Sequence, residues 1–151
     1  MALHAKTSKK DEAEIRALEQ RFAAAFRAKD VNAIMAVYVP DESLHVFDVI
    51  PPREYVGATA YRKDWETFLG MFDGPITFEI SDLKVTTGED VAFGHSIQHF
   101  AGNLKNGSPL DVTVRVTDGY RRVGGKWLIA HEHVSVPVDL ETGKGDLSSK
   151  P

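Results

Sequence analysis

The chain has 151 residues, no cysteine and a formal net charge of −4. This length fits one domain, and a hydrophobic share of 42% can build a core without disulfides or Cys-ligated metal. The basic residues are scattered, and no apolar run approaches the roughly 20 residues of a membrane-spanning helix. We therefore expect a cytoplasmic protein that binds neither nucleic acid nor membrane, with residues 1–10 as a flexible N-terminus.

Three helices are predicted in the first half of the chain. In the first, Asp11–Ala28, apolar residues recur every three or four positions, the repeat of one buried helical face. A second, short helix should run from Val31 to Tyr38. The third, Ala58–Phe72, carries its aromatic residues on one face and ends before a Gly-Pro pair.

Strands dominate the rest of the chain. A short strand at Ser43–Phe47 is followed by two prolines, which cannot donate to a strand ladder. Four longer β-branched or alternating runs, separated by GED, NGS and GG turns, lie at Ile76–Thr86, Val91–Ala101, Leu110–Val123 and Lys126–Val138. This order predicts an α+β fold in which a cone-shaped, curved antiparallel sheet packs on three N-terminal helices. The polar residues 141–151 should form a mobile C-terminal tail.

Three strings resemble the ketosteroid isomerase-like and SnoaL-like proteins of the nuclear transport factor 2-like (cystatin-like) superfamily. They are QRFAAAFRAKDVNAIMAVYVPD, FDVIPPREYVGATAYRKDW and RVTDGYRRVGGKWLIAHEHVSVP. The third also resembles the association domain of calcium/calmodulin-dependent protein kinase II. The resemblance covers residues 11–140, as one SnoaL-like domain, and implies an enclosed pocket. Since this fold hosts many reactions, the resemblance indicates the fold more specifically than the chemistry.

Two acidic residues match catalytic positions of the ketosteroid isomerase-like proteins. The resemblance implies that Asp48 is a general base, because desolvation at a pocket mouth raises the proton affinity of a carboxylate. Asp118 falls near the position of the protonated Asp that holds an oxyanion in those proteins. Phe22 stands where they carry a Tyr hydroxyl, which argues against their own reaction. A solvated turn residue at Asp48 and a surface ion pair at Asp118 are the alternatives.

Histidines form a second group of candidates. His95 and His99 share one face of a predicted strand. His95 matches an inward-facing basic position of the kinase association domain, which implies a carboxylate-binding pocket; a hydrogen-bonded structural histidine is the alternative. His131 and His133 form an H-x-H pair on the last strand, a spacing that also suits metal ligands. Because no third ligand follows at a recognisable spacing, we expect no metal and no cofactor.

The sequence leaves open which face of the last hairpin lines the pocket. With a two-residue Gly-Gly turn, simple alternation places Asp118 opposite His131. The resemblance to the kinase domain instead favours Arg115 and Glu132 as pocket residues, on the other face. A β-bulge would change the alternation, so both sets remain candidates.

Aromatic residues complete the predicted pocket. Phe22, Tyr38, Phe47 and Trp65 would shape an apolar cavity, with plain core packing as the alternative. The sequence thus predicts a cofactor-independent general acid/base enzyme, of isomerase, dehydratase or cyclase type, acting on a small apolar carbonyl compound. The alternative is a non-catalytic domain for small-ligand binding or dimerisation. The ligand should be apolar or carboxylate-bearing, and a homodimer is expected because the sheet leaves an apolar outer face.

Overall fold

The computed structural model describes residues 8–149. Three helices are α1 (Lys9–Ala28), α2 (Val31–Met35) and α3 (Ala58–Gly70). Six strands are β1 (His45–Phe47), β2 (Tyr55–Val56), β3 (Phe72–Thr87), β4 (Val91–Leu104), β5 (Pro109–Val123) and β6 (Lys126–Ser135). No helix in these residues is long and apolar enough to cross a bilayer.

The six strands form one sheet in the order β2-β1-β6-β5-β4-β3. Neighbouring strands are antiparallel, except that β1 runs parallel to β6. The hydrophobic core joins side chains of all three helices to the inner face of the sheet. The predicted α+β fold, with a curved sheet packed on N-terminal helices, is confirmed.

Side-chain caps explain where the first two helices begin. The Ser8 hydroxyl accepts a hydrogen bond from the Asp11 backbone N–H at 3.3 Å, and Asp30 caps α2 through the Ala33 N–H at 3.0 Å. Helix α1 therefore starts at Lys9, so the last residues of the predicted flexible N-terminus, 1–10, belong to a helix. Residues 1–7 of that segment lie outside the described residues.

Strand β3 begins earlier than the sequence predicts, at Phe72 rather than Ile76. Helix α3 ends at Gly70, and the strand runs through Gly74 and Pro75, with an irregular register between Asp73 and Thr77. Proline lacks a backbone donor, which an edge strand tolerates. Because β3 pairs only with β4 in the sheet order, its other edge forms no hydrogen bonds to a neighbouring strand that the proline could interrupt.

The C-terminal segment differs from the predicted mobile tail. After β6 the chain turns back, so that Val138 pairs with Gly145 and the Asp146 N–H donates to the Pro137 carbonyl at 2.8 Å. The Thr113 N–H of β5 donates to the Leu147 carbonyl, also at 2.8 Å. Residues 137–149 are thereby held against the sheet, and we call them the C-terminal strap.

Candidate functional site

A cavity of about 480 Å³ lies between the helices and the inner face of the sheet. Its size is that of a small-molecule site. Seven aromatic side chains line it: Phe22, Phe26, Tyr61, Trp65, Phe68, Phe78 and Phe100. Branched side chains of β5 and β6 supply much of the remaining wall, including Val112, Val114 and Val134. The cavity is therefore mainly apolar.

The aromatic wall is a packed cluster. Phe26 stacks on Phe78 with ring centroids 4.2 Å apart. Trp65 meets Phe26 and Phe22 edge-on, at 5.5 and 5.7 Å. Edge-on and stacked contacts of this kind hold aromatic rings in fixed orientations. Phe22 and Trp65, both predicted to shape the pocket, lie on this wall.

Asp48 lies on the cavity wall directly after β1. The Val49 backbone N–H donates to its Oδ1 at 2.6 Å, which fixes the carboxyl group. Burial, together with the acidic charges of Glu132 and Asp64, raises the pKa of Asp48 to about 7, while the Val49 hydrogen bond opposes the rise. A carboxyl group with such a pKa can exchange protons at neutral pH.

Glu132 is a second carboxyl group on the cavity wall. The residue is 4% exposed. The Tyr61 hydroxyl donates to Oε1 at 2.7 Å and the Tyr38 hydroxyl donates to Oε2 at 2.9 Å. Burial raises the pKa of Glu132, while the hydrogen bonds from both tyrosines oppose that rise. Tyr38, predicted to line the pocket, instead lies behind the wall and positions Glu132.

Two further carboxyl groups lie behind Glu132, away from the cavity. Asp118 pairs with Glu132 across β5 and β6, and its carboxyl group is hydrogen-bonded to that of Glu132. Burial and the neighbouring Glu19 and Glu132 charges raise the pKa of Asp118 well above its ordinary value. Burial also raises the pKa of Glu19 to about 7, and Glu19 accepts a 2.6 Å hydrogen bond from the Tyr120 hydroxyl. A protonated Asp118 can thus donate to Glu132.

A β-bulge decides which face of β6 meets the cavity. Gly119 is opposite His131 but Tyr120 is opposite Ile129, so Ala130 has no partner on β5. Before this point Trp127 and Ile129 are buried; after it the inward residue is Glu132. Asp118 therefore lies opposite Glu132, and the predicted pairing of Asp118 with His131 does not form.

The histidines of the last strand lie on the outer face of the sheet. The Nδ1 atom of His131 is 2.9 Å from the His45 carbonyl oxygen, and its ring packs edge-on against Phe47. His133 also packs against Phe47, which is 37% exposed. We predicted that His131 and Phe47 line the pocket, but the structure places both away from the cavity.

Three other predicted pocket residues share this outer face. His95 is exposed on β4, opposite Thr117 of β5. His99 bonds to the Asp111 carboxylate at 2.8 Å, and the Arg115 Nε donates to the Ser135 hydroxyl at 3.2 Å. Alternation along β4 gives the cavity Gln98 and leaves the odd-numbered histidines outside. The structure thus separates His95 from Asp48 and Asp118.

Several residues on the cavity wall were not predicted from the sequence. Gln98 and Asp64 line the cavity, as does Leu147 of the strap. Strand alternation could have indicated Gln98, whose inward neighbours Ser96 and Ala92 are buried. No comparable pattern marks Leu147, because a strap after the last strand carries no periodic signal. Within residues 8–149, no group of three or more His, Cys, Asp or Glu side chains has an arrangement that could hold a metal ion.

Comparisons with known proteins agree with this architecture. The family model of the SnoaL-like domain matches residues 15–139. The structure of an NTF2-like protein of unknown function from Pseudomonas putida KT2440 is 36% identical, with a TM-score of 0.86, covering 96% of this chain and 99% of that chain. No functionally curated protein matches the chain.

Two more distant structures share the fold. One, from Novosphingobium aromaticivorans, is named a putative scytalone dehydratase. It is 16% identical to this chain, with a TM-score of 0.74, and the match covers 83% of each chain. The other, from Xanthomonas campestris, is named a putative calcium/calmodulin dependent protein kinase II association domain. It is 24% identical to this chain, with a TM-score of 0.69, and the match covers 89% of this chain and 96% of that chain. At these identities the likeness concerns the fold alone.

Proposed function

The chain belongs to the family of SnoaL-like proteins, and from this premise we propose that it is a cofactor-independent general acid/base enzyme acting on a small, uncharged carbonyl compound. The proposal rests mainly on the position and the pKa of the Asp48 side chain. Its carboxyl group lies on the wall of an apolar cavity, and burial raises its pKa to about 7. General bases work best when their pKa is near the operating pH.

Asp48 would take a proton from a carbon beside the ligand's carbonyl group. The electron pair of the broken C–H bond moves toward the carbonyl, whose oxygen gains negative charge. Return of the proton to another carbon isomerises the ligand, whereas protonation and departure of a hydroxyl group eliminates water. In a cyclase, the same carbanion attacks a second carbonyl carbon. All three reaction types thus share the step assigned to Asp48.

Glu132 is the group best placed to stabilise the negative oxygen. Burial raises its pKa, so the protonated form becomes available as a hydrogen-bond donor on the cavity wall. Tyr38 and Tyr61 hold its carboxyl group in place. Asp118, which the sequence suggested as the direct partner of the oxyanion, acts through Glu132 in this proposal because it lies behind it.

The charge of the cavity wall selects the ligand. Within residues 8–149, the cavity lining includes the carboxyl groups of Asp48, Asp64 and Glu132 but no Lys, Arg or His. A carboxylate-bearing ligand would lose its hydration in an apolar site that offers it no counterion, which is strongly unfavourable. This favours an apolar, uncharged ligand over a carboxylate-bearing ligand, the two classes that the sequence predicts.

Proton exchange tests the role of Asp48 without knowledge of the natural substrate. We expect the protein to catalyse exchange of deuterium into β-tetralone, a small ketone with acidic C–H bonds, in heavy water. The rate should rise with pH through about 7, because only ionised Asp48 accepts a proton. Asp48→Asn should reduce exchange to the rate without protein, as followed by NMR.

The matched control is Asp111→Asn, which removes an exposed carboxylate on the outer face. This variant should exchange the ketone as fast as the wild type. Equal rates in wild type and Asp48→Asn would refute the role of Asp48. Binding of β-tetralone without any catalysed exchange would favour the second candidate, a non-catalytic binding domain, which the absence of a hydroxyl at Phe22 supports.

We also propose that the protein is a homodimer formed through the outer face of the sheet. Val91 and Phe93 of β4 are 63% and 51% exposed there, and Phe47 of β1 is 37% exposed on the same face. A relative in fold bears the name of an association domain, which agrees with self-association. Light scattering should give twice the chain mass of 16.7 kDa.

Phe93→Lys should shift this mass to that of the monomer, because it places a charge in the proposed interface. The control Leu140→Lys adds the same charge at a residue 93% exposed on the C-terminal strap, and should leave the mass unchanged. A wild-type mass equal to one chain at micromolar concentration would refute the dimer.

A further inference from the structure

Gln98 is a buried amide on the cavity wall with an incomplete set of hydrogen bonds. The residue is 6% exposed and lies on the inner face of β4, opposite Val114. Its amide nitrogen donates to the Ser96 hydroxyl at a long 3.4 Å. Its oxygen accepts no hydrogen bond from any residue in the described part of the chain.

The Gln98 oxygen can be reached from the cavity. In the described chain, the fully buried side-chain atoms without a hydrogen bond are Trp65 Nε1 and Asp118 Oδ1. The Gln98 oxygen also lacks a hydrogen bond but is not fully buried. Since Gln98 lines the cavity, this oxygen is available to a ligand there.

The surroundings of this oxygen are apolar. Phe100, Leu110, Val112 and Val114 form the same part of the wall. A buried amide without a partner costs free energy that a hydrogen bond recovers. A ligand that places a hydrogen-bond donor here therefore gains from a group that the protein leaves unpaired.

Gln98 and Asp48 are separated by three strand spacings along the curved sheet. Phe47 pairs with His133, so Asp48 continues β1 beside β6, and β5 separates β6 from β4. With neighbouring strands about 4.8 Å apart, three strand spacings put about 14 Å between the two backbones. Both side chains line the cavity, and the aromatic side chains form much of the remaining wall.

We propose that Gln98 is a specificity-determining residue that accepts a hydrogen bond from a hydroxyl group at the end of the ligand remote from Asp48. The inference rests on the proposed function, since it takes Asp48 to hold the reacting end. The substrate class is then an elongated, uncharged ring compound with a carbonyl at one end and a hydroxyl at the other. The ring body lies against the aromatic wall.

A matched pair of ketones tests the proposal by binding alone. β-Tetralone is compared with its derivative that carries a hydroxyl on the aromatic ring, opposite the ketone. In the wild type the hydroxyl should tighten the dissociation constant about 5-fold, the size of one neutral hydrogen bond. In Gln98→Leu the two ketones should bind equally. Calorimetry measures both constants.

Two controls keep the test decisive. Gln20→Leu makes the same chemical change on the exposed face of α1 and should keep the wild-type preference. A methoxy derivative, which accepts but cannot donate a hydrogen bond, should gain no affinity over β-tetralone. If the methoxy and hydroxy compounds bind equally well, or if Gln98→Leu keeps the preference, the assignment of Gln98 as an acceptor for a hydroxyl is wrong.

The free protein supplies a readout that does not depend on any ligand. Gln98→Leu replaces a partly unsatisfied amide with an apolar side chain of similar size, so its melting temperature should equal or exceed that of the wild type. A clear loss of stability would mean that the amide has a structural role. Failure of proton exchange in the wild type would instead refute the proposed reaction, while the binding preference would still be measurable.

Discussion

Glu132→Leu should lower the free energy of unfolding by about 3–5 kcal/mol, as expected when one member of a buried polar network is removed. The Tyr38 and Tyr61 hydroxyls both donate to Glu132, and leucine offers them no acceptor. The leucine side chain also keeps water from taking the place of the carboxylate. Chemical denaturation at pH 7 measures the loss.

The tyrosines provide the control for this prediction. In the triple variant Tyr38→Phe, Tyr61→Phe, Glu132→Leu, the unpaired hydroxyls are gone, and most of the lost stability should return. Glu132→Gln retains acceptor capacity and should cost less than leucine. If Glu132→Leu were as stable as the wild type, the two tyrosine hydrogen bonds would not be important for the fold.

Asp48→Asn should become more stable relative to the wild type as the pH rises. The pKa of Asp48 is about 3.8 in an unfolded chain and about 7 in the folded protein. Between these values the folded protein keeps a proton that the unfolded chain has released, so the stability of the wild type falls as the pH rises. Its contribution is fully present below about pH 4 and is lost above about pH 7.

Asparagine stays neutral in both states and can still accept the hydrogen bond from Val49. Its advantage over Asp48 should therefore grow by about 2–3 kcal/mol between pH 5 and pH 8. Glu19→Gln should behave in the same way, because burial raises the pKa of Glu19 to about 7. Thermal denaturation at several pH values gives the comparison.

Asp41→Asn is the control for the pH dependence. Hydrogen bonds from Ser43 lower the pKa of this exposed residue, so it is ionised in both states across the same range. Its effect on stability should not change between pH 5 and pH 8. If the stability difference between Asp48→Asn and the wild type did not change with pH, burial would not raise the pKa of Asp48.

Much of the fold followed from patterns that act locally. The helical repeat that includes Ile15 and Phe22, and the alternation along the long strands, depend on which side chains face the core. The course of the last strand was harder to predict, because the unpaired Ala130 changes which residues face inward. A bulge of one residue has no distinct composition, so Asp118 was paired with His131 instead of Glu132.

The candidate site was only partly accessible from sequence. Asp48 and Trp65 were placed on the cavity because local strings resemble the family. His95 was misplaced because periodicity shows which residues share a face but not which face meets the core. Phe93 and Ile97 gave the outer face of β4 a core-like composition, while the inner face carries the polar Ser96 and Gln98.

Under the proposed function, the C-terminal strap would affect how quickly a ligand enters or leaves. Val138, Gly145 and Leu147 supply part of the cavity wall, and the strap meets β5 through the hydrogen bond between Thr113 and Leu147. Segments that are held by few hydrogen bonds and bury little apolar surface open locally at lower free energy than the core of a domain. Release of the strap would therefore widen the cavity without disturbing the sheet. Under the proposed function, the lifetime of a bound complex would depend on this local opening as well as on the contacts inside the cavity.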